Sequence, residues 1–124
     1  MQDRFRFRYS YNNHIYNVLG IDFDFSRAVL RSLVGTETLM CKINLDNLIP
    51  CTGKRDRNGI LIYEGDRVYI NCEDETAIIK WSDDLARFAI HFEDEAVFAD
   101  FDNYYSKELE VIGNIYENSE LPKE

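Results

Sequence analysis

The chain has 124 residues and a mass of 14.6 kDa. That is one domain's worth, enough to bury about two thirds of the extended surface without a metal or disulfide staple. With 45% hydrophobic, 14% aromatic and 30% charged residues, it is neither disordered nor fibrous, and eight Tyr and eight Phe against two Pro favour a β-rich core. Charge is divided unevenly. Nine Lys and Arg face six acids in residues 1–62, a net of +3, and five bases face seventeen acids in residues 63–124, a net of −12, giving −9 for the whole chain. An acidic domain repels phosphate at long range, which opposes a general nucleic-acid binder.

From the N-terminus, Arg4-Phe5-Arg6-Phe7-Arg8-Tyr9-Ser10-Tyr11 alternates with period two, aromatics to one face and arginines to the other. Asn12-Asn13 tolerate positive φ and predict a tight turn into a second strand over His14–Leu19. Further strands are expected at Ile21–Phe25, Ala28–Val34 and Thr38–Ile43. One helical turn is expected over Asn44–Ile49, ended by Pro50.

Asn58-Gly59 is the strongest short turn signal, with the apolar run Ile60–Tyr63 after it. Val68 and Ile70 resume a strand beyond Glu64-Gly65-Asp66. Thr76–Trp81, the alternating Arg87–Phe92, Ala96–Phe101 and Leu109–Glu117 complete the set, with one helical turn within Asp102–Glu108. Acids at 73–75, 83–84 and 93–95 fall at the turns between strands. Inward periodicity selects Tyr63, Val68, Ile70, Trp81, Phe88, Ile90, Phe92, Val111 and Ile115 as the core. Short strands joined by polar turns predict a small barrel, not a βαβ sheet. The division expected is a β-rich extension over 1–50, a barrel over 51–118 and a polar tail over 119–124.

Two stretches carry a resemblance. Cys51-Thr52-Gly53-Lys54-Arg55-Asp56-Arg57-Asn58-Gly59-Ile60-Leu61-Ile62-Tyr63-Glu64-Gly65-Asp66-Arg67-Val68 and Glu110-Val111-Ile112-Gly113-Asn114-Ile115-Tyr116-Glu117-Asn118 resemble the central and C-terminal motifs of the YopX family of phage and prophage proteins. The opening strand pair is similar at Phe5-Arg6 and Tyr16-x-Val18. Arg8, Tyr9, Cys51 and Ser119 depart from the family's usual Trp, Asp, Tyr and Pro. The resemblance implies an SH3-like barrel with an N-terminal β-rich extension, and no activity.

The residues themselves read structurally first. Gly65 suits a left-handed position, Asp66 a bond to a nearby backbone N–H, and Tyr63 an anchoring ring whose hydroxyl needs a partner. Gly113, inside a strand, suggests a bulge or a close backbone crossing. The functional alternative makes Glu64 and Asp66 ligands for a cation or basic group. His91 is expected to be solvated, and no nucleophile or orienting acid converges on it or on His14. Neither a calcium loop nor a phosphate-cradling loop is written in the sequence. Cys41, Cys51 and Cys72 match no zinc or disulfide spacing and are expected to be small buried thiols.

With no signal peptide or apolar span in the sequence, the expectation is a cytoplasmic protein without cofactor or membrane contact. The leading reading is a non-catalytic interaction module, with a host or phage protein as partner. The alternative is a nucleic-acid-binding accessory protein using Arg4, Arg6, Arg8, Lys54, Arg55 and Arg57, or an acidic mimic of DNA directed at a host protein. An enzyme is the remaining class. The aromatic hairpin further suggests a homodimer, because an extension of about fifty residues has little room for a core of its own.

Overall fold

A computed structural model describes residues 6–93 and 98–117. The fold is mainly β, in two antiparallel sheets. Strands β1 (Phe7–Tyr11), β2 (His14–Asp22), β3 (Arg27–Ser32), β4 (Thr38–Lys42), β5 (Leu48–Arg55) and β6 (Leu61–Tyr63) form the first, in the order β4-β3-β2-β1-β5-β6. Strands β7 (Asp66–Ile70), β8 (Glu75–Ser82), β9 (Arg87–Phe92), β10 (Phe98–Asp100) and β11 (Leu109–Asn114) form the second, in the order β10-β9-β8-β7-β11. Among the described residues neither sheet closes on itself, so the expected closed ring of strands is not seen there.

Asn12 and Asn13 take φ of 52° and 63°, so a two-residue turn joins β1 to β2 with Tyr11 opposite His14. The helical turn before Pro50 is a 3₁₀ turn at Leu45–Asn47, capped where the Asn44 side chain accepts the Asp46 N–H. Pro50 does not end the order there: it lies inside β5, opposite Phe7. Proline biases the preceding residue toward extended backbone, which is what a strand requires, and the Pro50 carbonyl still accepts the Glu64 N–H at 3.0 Å. The boundary expected at residue 50 therefore falls within a strand that pairs with both β1 and β6.

The larger core lies against the second sheet, where Ile62 of β6 joins Val68, Ile70, Ala77, Ile79, Ile90, Phe92, Phe101 and Leu109. Four expected core residues differ. Trp81 is 47% exposed at the end of β8 and Ile115 is 45% exposed beyond β11, while Phe88 and Val111 are half-buried against the cluster. Strand ends leave one side of a ring uncovered, so alternation alone overstates their burial. Trp81 still meets Phe88 edge-on, with ring centroids 5.1 Å apart.

The first sheet has a core of its own, contrary to expectation. Tyr9, Ala28 and Leu30 project from one face with Leu48 of β5 opposite Tyr9, and the chain after β4 crosses that face to lay Ile43 against them. Tyr9 accepts the Asn44 N–H on its hydroxyl at 3.0 Å, and the Ile43 N–H reaches the Ser26 carbonyl at 2.8 Å. The opposite face carries Ile49 and Cys51, which pack on Tyr63 with Leu61 and Tyr116 beside them. Of the thiols, Cys51 is buried, Cys41 half-buried and Cys72 exposed, so the expectation of burial fails at Cys72.

Candidate functional site

The central motif folds as two loops. In the β5–β6 hairpin, the Asp56 N–H donates to the Ile60 carbonyl and the Gly59 N–H to the Asp56 carbonyl, with Gly59 at φ 82°. The Asp56 carboxylate is 3% exposed and fully occupied by backbone. Its Oδ1 accepts the N–H groups of Asn58 and Ile60 at 2.8 and 2.9 Å, and its Oδ2 accepts that of Val111 at 2.9 Å. Asp56 is not among the candidate residues of the sequence, although an Asp two residues before Asn-Gly signals a side chain that closes its own turn.

Glu64-Gly65-Asp66 is the second loop. Gly65 sits at φ 89°, as expected, and a Cβ there would run into the Tyr116 ring. Its N–H donates to the Ile79 carbonyl at 2.7 Å, and its carbonyl accepts the Ile115 N–H at 3.0 Å. Glu64 accepts the Tyr116 hydroxyl at 2.6 Å. Burial raises the Tyr116 hydroxyl's pKa above the usual range, and the Glu64 carboxylate adds to that. Asp66 Oδ2 accepts the Tyr63 N–H at 2.8 Å, the backbone bond expected of it.

Arg8 completes this cluster from β1, its guanidinium 4.1 Å from the centre of the Tyr63 ring. Burial pushes the Asp66 carboxyl up to about 7, against the pull of the Tyr63 N–H and the Arg8 charge; Asp56 and Glu64 push the same way as burial. The Tyr63 hydroxyl is raised by burial and drawn back by Arg8. A carboxyl titrating near neutrality is the kind of group catalysis uses. Asp66, however, is 3% exposed and tied to the backbone, beyond the reach of a substrate.

The nine residues singled out in the sequence do not form one surface. Arg8, Tyr63, Glu64 and Asp66 meet in the inter-sheet cluster just described. Lys54 lies elsewhere: its Nζ donates to the carbonyls of Phe101 at 3.0 Å and Tyr104 at 2.6 Å and sits over the Phe101 ring. Burial lowers its pKa, with Asp102 and Glu108 opposing. Arg55 donates to the Gly59 carbonyl at 2.7 Å, while Arg6 and Arg57 are exposed. Arg4 lies outside the described residues, as does part of the 93–95 acid turn. His14 is exposed, and His91 is half-buried, not fully solvated. Gly113 follows a register shift between Val111 and Gly113, and nothing lies within 4 Å of its missing Cβ, so it marks a bulge and not a crossing.

Surface features missed in the sequence lie on the first sheet. Tyr9, Tyr16, Leu30, Leu39 and Cys41 share a face by register, and with Tyr11 and Lys42 they line a groove of about 230 Å³. It runs along β4, an edge strand whose Leu39 and Met40 are 59% and 61% exposed. Among the described residues, no three His, Cys, Asp or Glu side chains are grouped to hold a metal ion, and no helix is long and apolar enough to cross a membrane.

These features define a two-sheet antiparallel β protein whose most distinctive motif works as an internal latch. The chain belongs to the YopX family: the family model described as YopX protein matches residues 4–123. No curated protein matches it at a significant level.

Proposed function

We propose that the chain is a small non-catalytic interaction module of phage type, acting in the cytoplasm of a bacterial host, that binds another protein along β4. The observation carrying this reading is the groove of Tyr9, Tyr11, Tyr16, Leu30, Leu39 and Cys41 beside β4, an edge strand of its sheet among the described residues. An extended segment can add a strand there and place alternate side chains in the groove. A partly open SH3-like barrel over 51–118 is part of the proposal. It is supported by the order β10-β9-β8-β7-β11, a meander whose last strand returns beside its first after 3₁₀ turns. The nucleic-acid alternative is weakened because Arg8, Lys54 and Arg55 spend their charge on internal partners.

Affinity capture from host lysate tests the reading, run at high salt and after nuclease treatment. A protein retained by the wild-type chain and lost with Leu39→Asp supports it. Capture that disappears with nuclease overturns it in favour of nucleic acid.

A further inference from the structure

Among the described residues, β4 differs from the other three sheet edges. Strands β6 and β10 are three residues long, and β11 carries a bulge between Val111 and Gly113. Short or bulged edges resist the addition of a further strand. β4 is five residues long, and its register with β3 runs unbroken from Thr38 opposite Arg31 to Lys42 opposite Arg27. No proline or glycine interrupts it, and its only charge, Lys42, stands at its last position. Four consecutive uncharged residues therefore present a regular edge.

The edge is apolar in the middle and charged at its ends. Leu39 and Cys41 line the groove, opposite Leu30 and Ala28 of the core on that face, so a strand laid beside β4 must set apolar side chains across from both. Lys42 is exposed and is the one charged residue lining the groove, and Glu37, also exposed, stands directly before β4. An acid before the strand and a base at its end give the edge a direction. Every strand pair of this sheet is antiparallel, the slightly more stable pairing, and a strand added in that sense meets Lys42 first and Glu37 last.

We propose that the partner segment at β4 is an extended, antiparallel protein strand of the pattern acid–apolar–x–apolar–x–base. Its acid lies opposite Lys42, its two apolar residues opposite Cys41 and Leu39, and its base opposite Glu37. Main-chain bonds along the edge hold the strand, and the groove and the two end charges select its sequence and direction. This rests on the β4 reading and deepens it by naming the partner's chemistry. A phosphate chain would meet Lys42 but would be repelled by Glu37, and it offers nothing to the apolar groove between them.

Amide NMR titration of the full chain tests it with two end-capped peptides of equal composition, Glu-Leu-Thr-Leu-Thr-Lys and Lys-Leu-Thr-Leu-Thr-Glu. The first is expected to shift the Leu39, Met40 and Cys41 amides. It should bind at least about fivefold more tightly than the second, because two attractive cross-strand pairs become two repulsive ones. The double variant Glu37→Lys, Lys42→Glu, altered only at exposed positions, should reverse that preference. Equal binding of both peptides, lost with Leu39→Asp, overturns the charge pattern while the β4 reading stands. A preference of the wild type for the second peptide overturns the antiparallel arrangement. The proposal is also overturned if neither peptide binds at millimolar concentration, or if the β4 amides shift with protein concentration alone, which would place a second copy on the edge. The β4 reading itself fails separately, when capture from lysate is indifferent to Leu39→Asp.

Discussion

Asp56 and Val111 are joined across 55 residues of chain: Asp56 Oδ2 accepts the Val111 N–H at 2.9 Å. The bond enters β11 just before its bulge, and the Arg57 N–H adds a second tie to the Leu109 carbonyl at 2.8 Å. The tip of the β5–β6 hairpin thereby fixes the last strand of the other sheet. The two recognisable motifs of the sequence are halves of one contact.

Removing that carboxylate should be costly. Asp56→Ala leaves three backbone N–H groups without their acceptor, and a loss of about 3 kcal/mol is expected in urea unfolding, since bonds to a charged acceptor contribute about 1.5–3 kcal/mol each and water replaces part of the loss. Asp56→Asn should recover some of it. A urea midpoint unchanged in Asp56→Ala would mean that the contact is incidental to stability.

Gly65 is constrained twice, by φ 89° and by the Tyr116 ring where a Cβ would stand. Gly65→Ala should destabilise by more than the roughly 1–2 kcal/mol of a left-handed residue alone. In a Tyr116→Ala background the penalty should shrink to about that backbone part. A double-mutant cycle reports the difference, and simple additivity would count against the ring contact.

Asp66 makes stability depend on pH in an unusual direction. Its carboxyl rises from 3.8 to about 7 on folding, so between these values the folded chain holds a proton that the unfolded chain has released. Stability should fall as pH rises through that window and level off above it, by at most about 4 kcal/mol from this group. Asp66→Asn should remove the slope when the two pH profiles are subtracted. Arg8→Gln should deepen it, because the nearby positive charge favours the carboxylate. Parallel profiles for wild type and Asp66→Asn would contradict the assignment.

Core substitutions should follow burial in place of alternation. Ile90 is fully buried and Ile90→Ala should cost about 2–5 kcal/mol, whereas Trp81→Ala, at a half-exposed strand end, should cost much less than the 3–5 kcal/mol of a buried aromatic. Thermal melts of the two variants check the order. A larger loss at Trp81 would show that its edge-on contact with Phe88 dominates that end of the sheet.

Turns and strand periodicity were legible because their causes are local. Asn12-Asn13, Gly59 and Gly65 each occupy the backbone conformation their side chains, or lack of one, permit, and alternation in Arg87–Phe92 correctly sends Ile90 and Phe92 inward. The candidate cations were not legible in the same way. Arg8 lies on the arginine face of β1 as expected, yet that face is covered by Tyr63, and Lys54 is drawn onto carbonyls about fifty residues away.

By itself, then, the sequence determined where the chain turns, which residues alternate, and that the product is β-rich, since φ preference and side-chain period act over a few residues. Only tertiary structure decided which face of each strand is covered. The crossing of Ile43 over Tyr9, the return of Val111 to Asp56 and the seating of Arg8 on Tyr63 join segments far apart in the chain. Burial of a polar residue depends on whether such a distant partner can satisfy it, and nothing in its neighbouring residues carries that information.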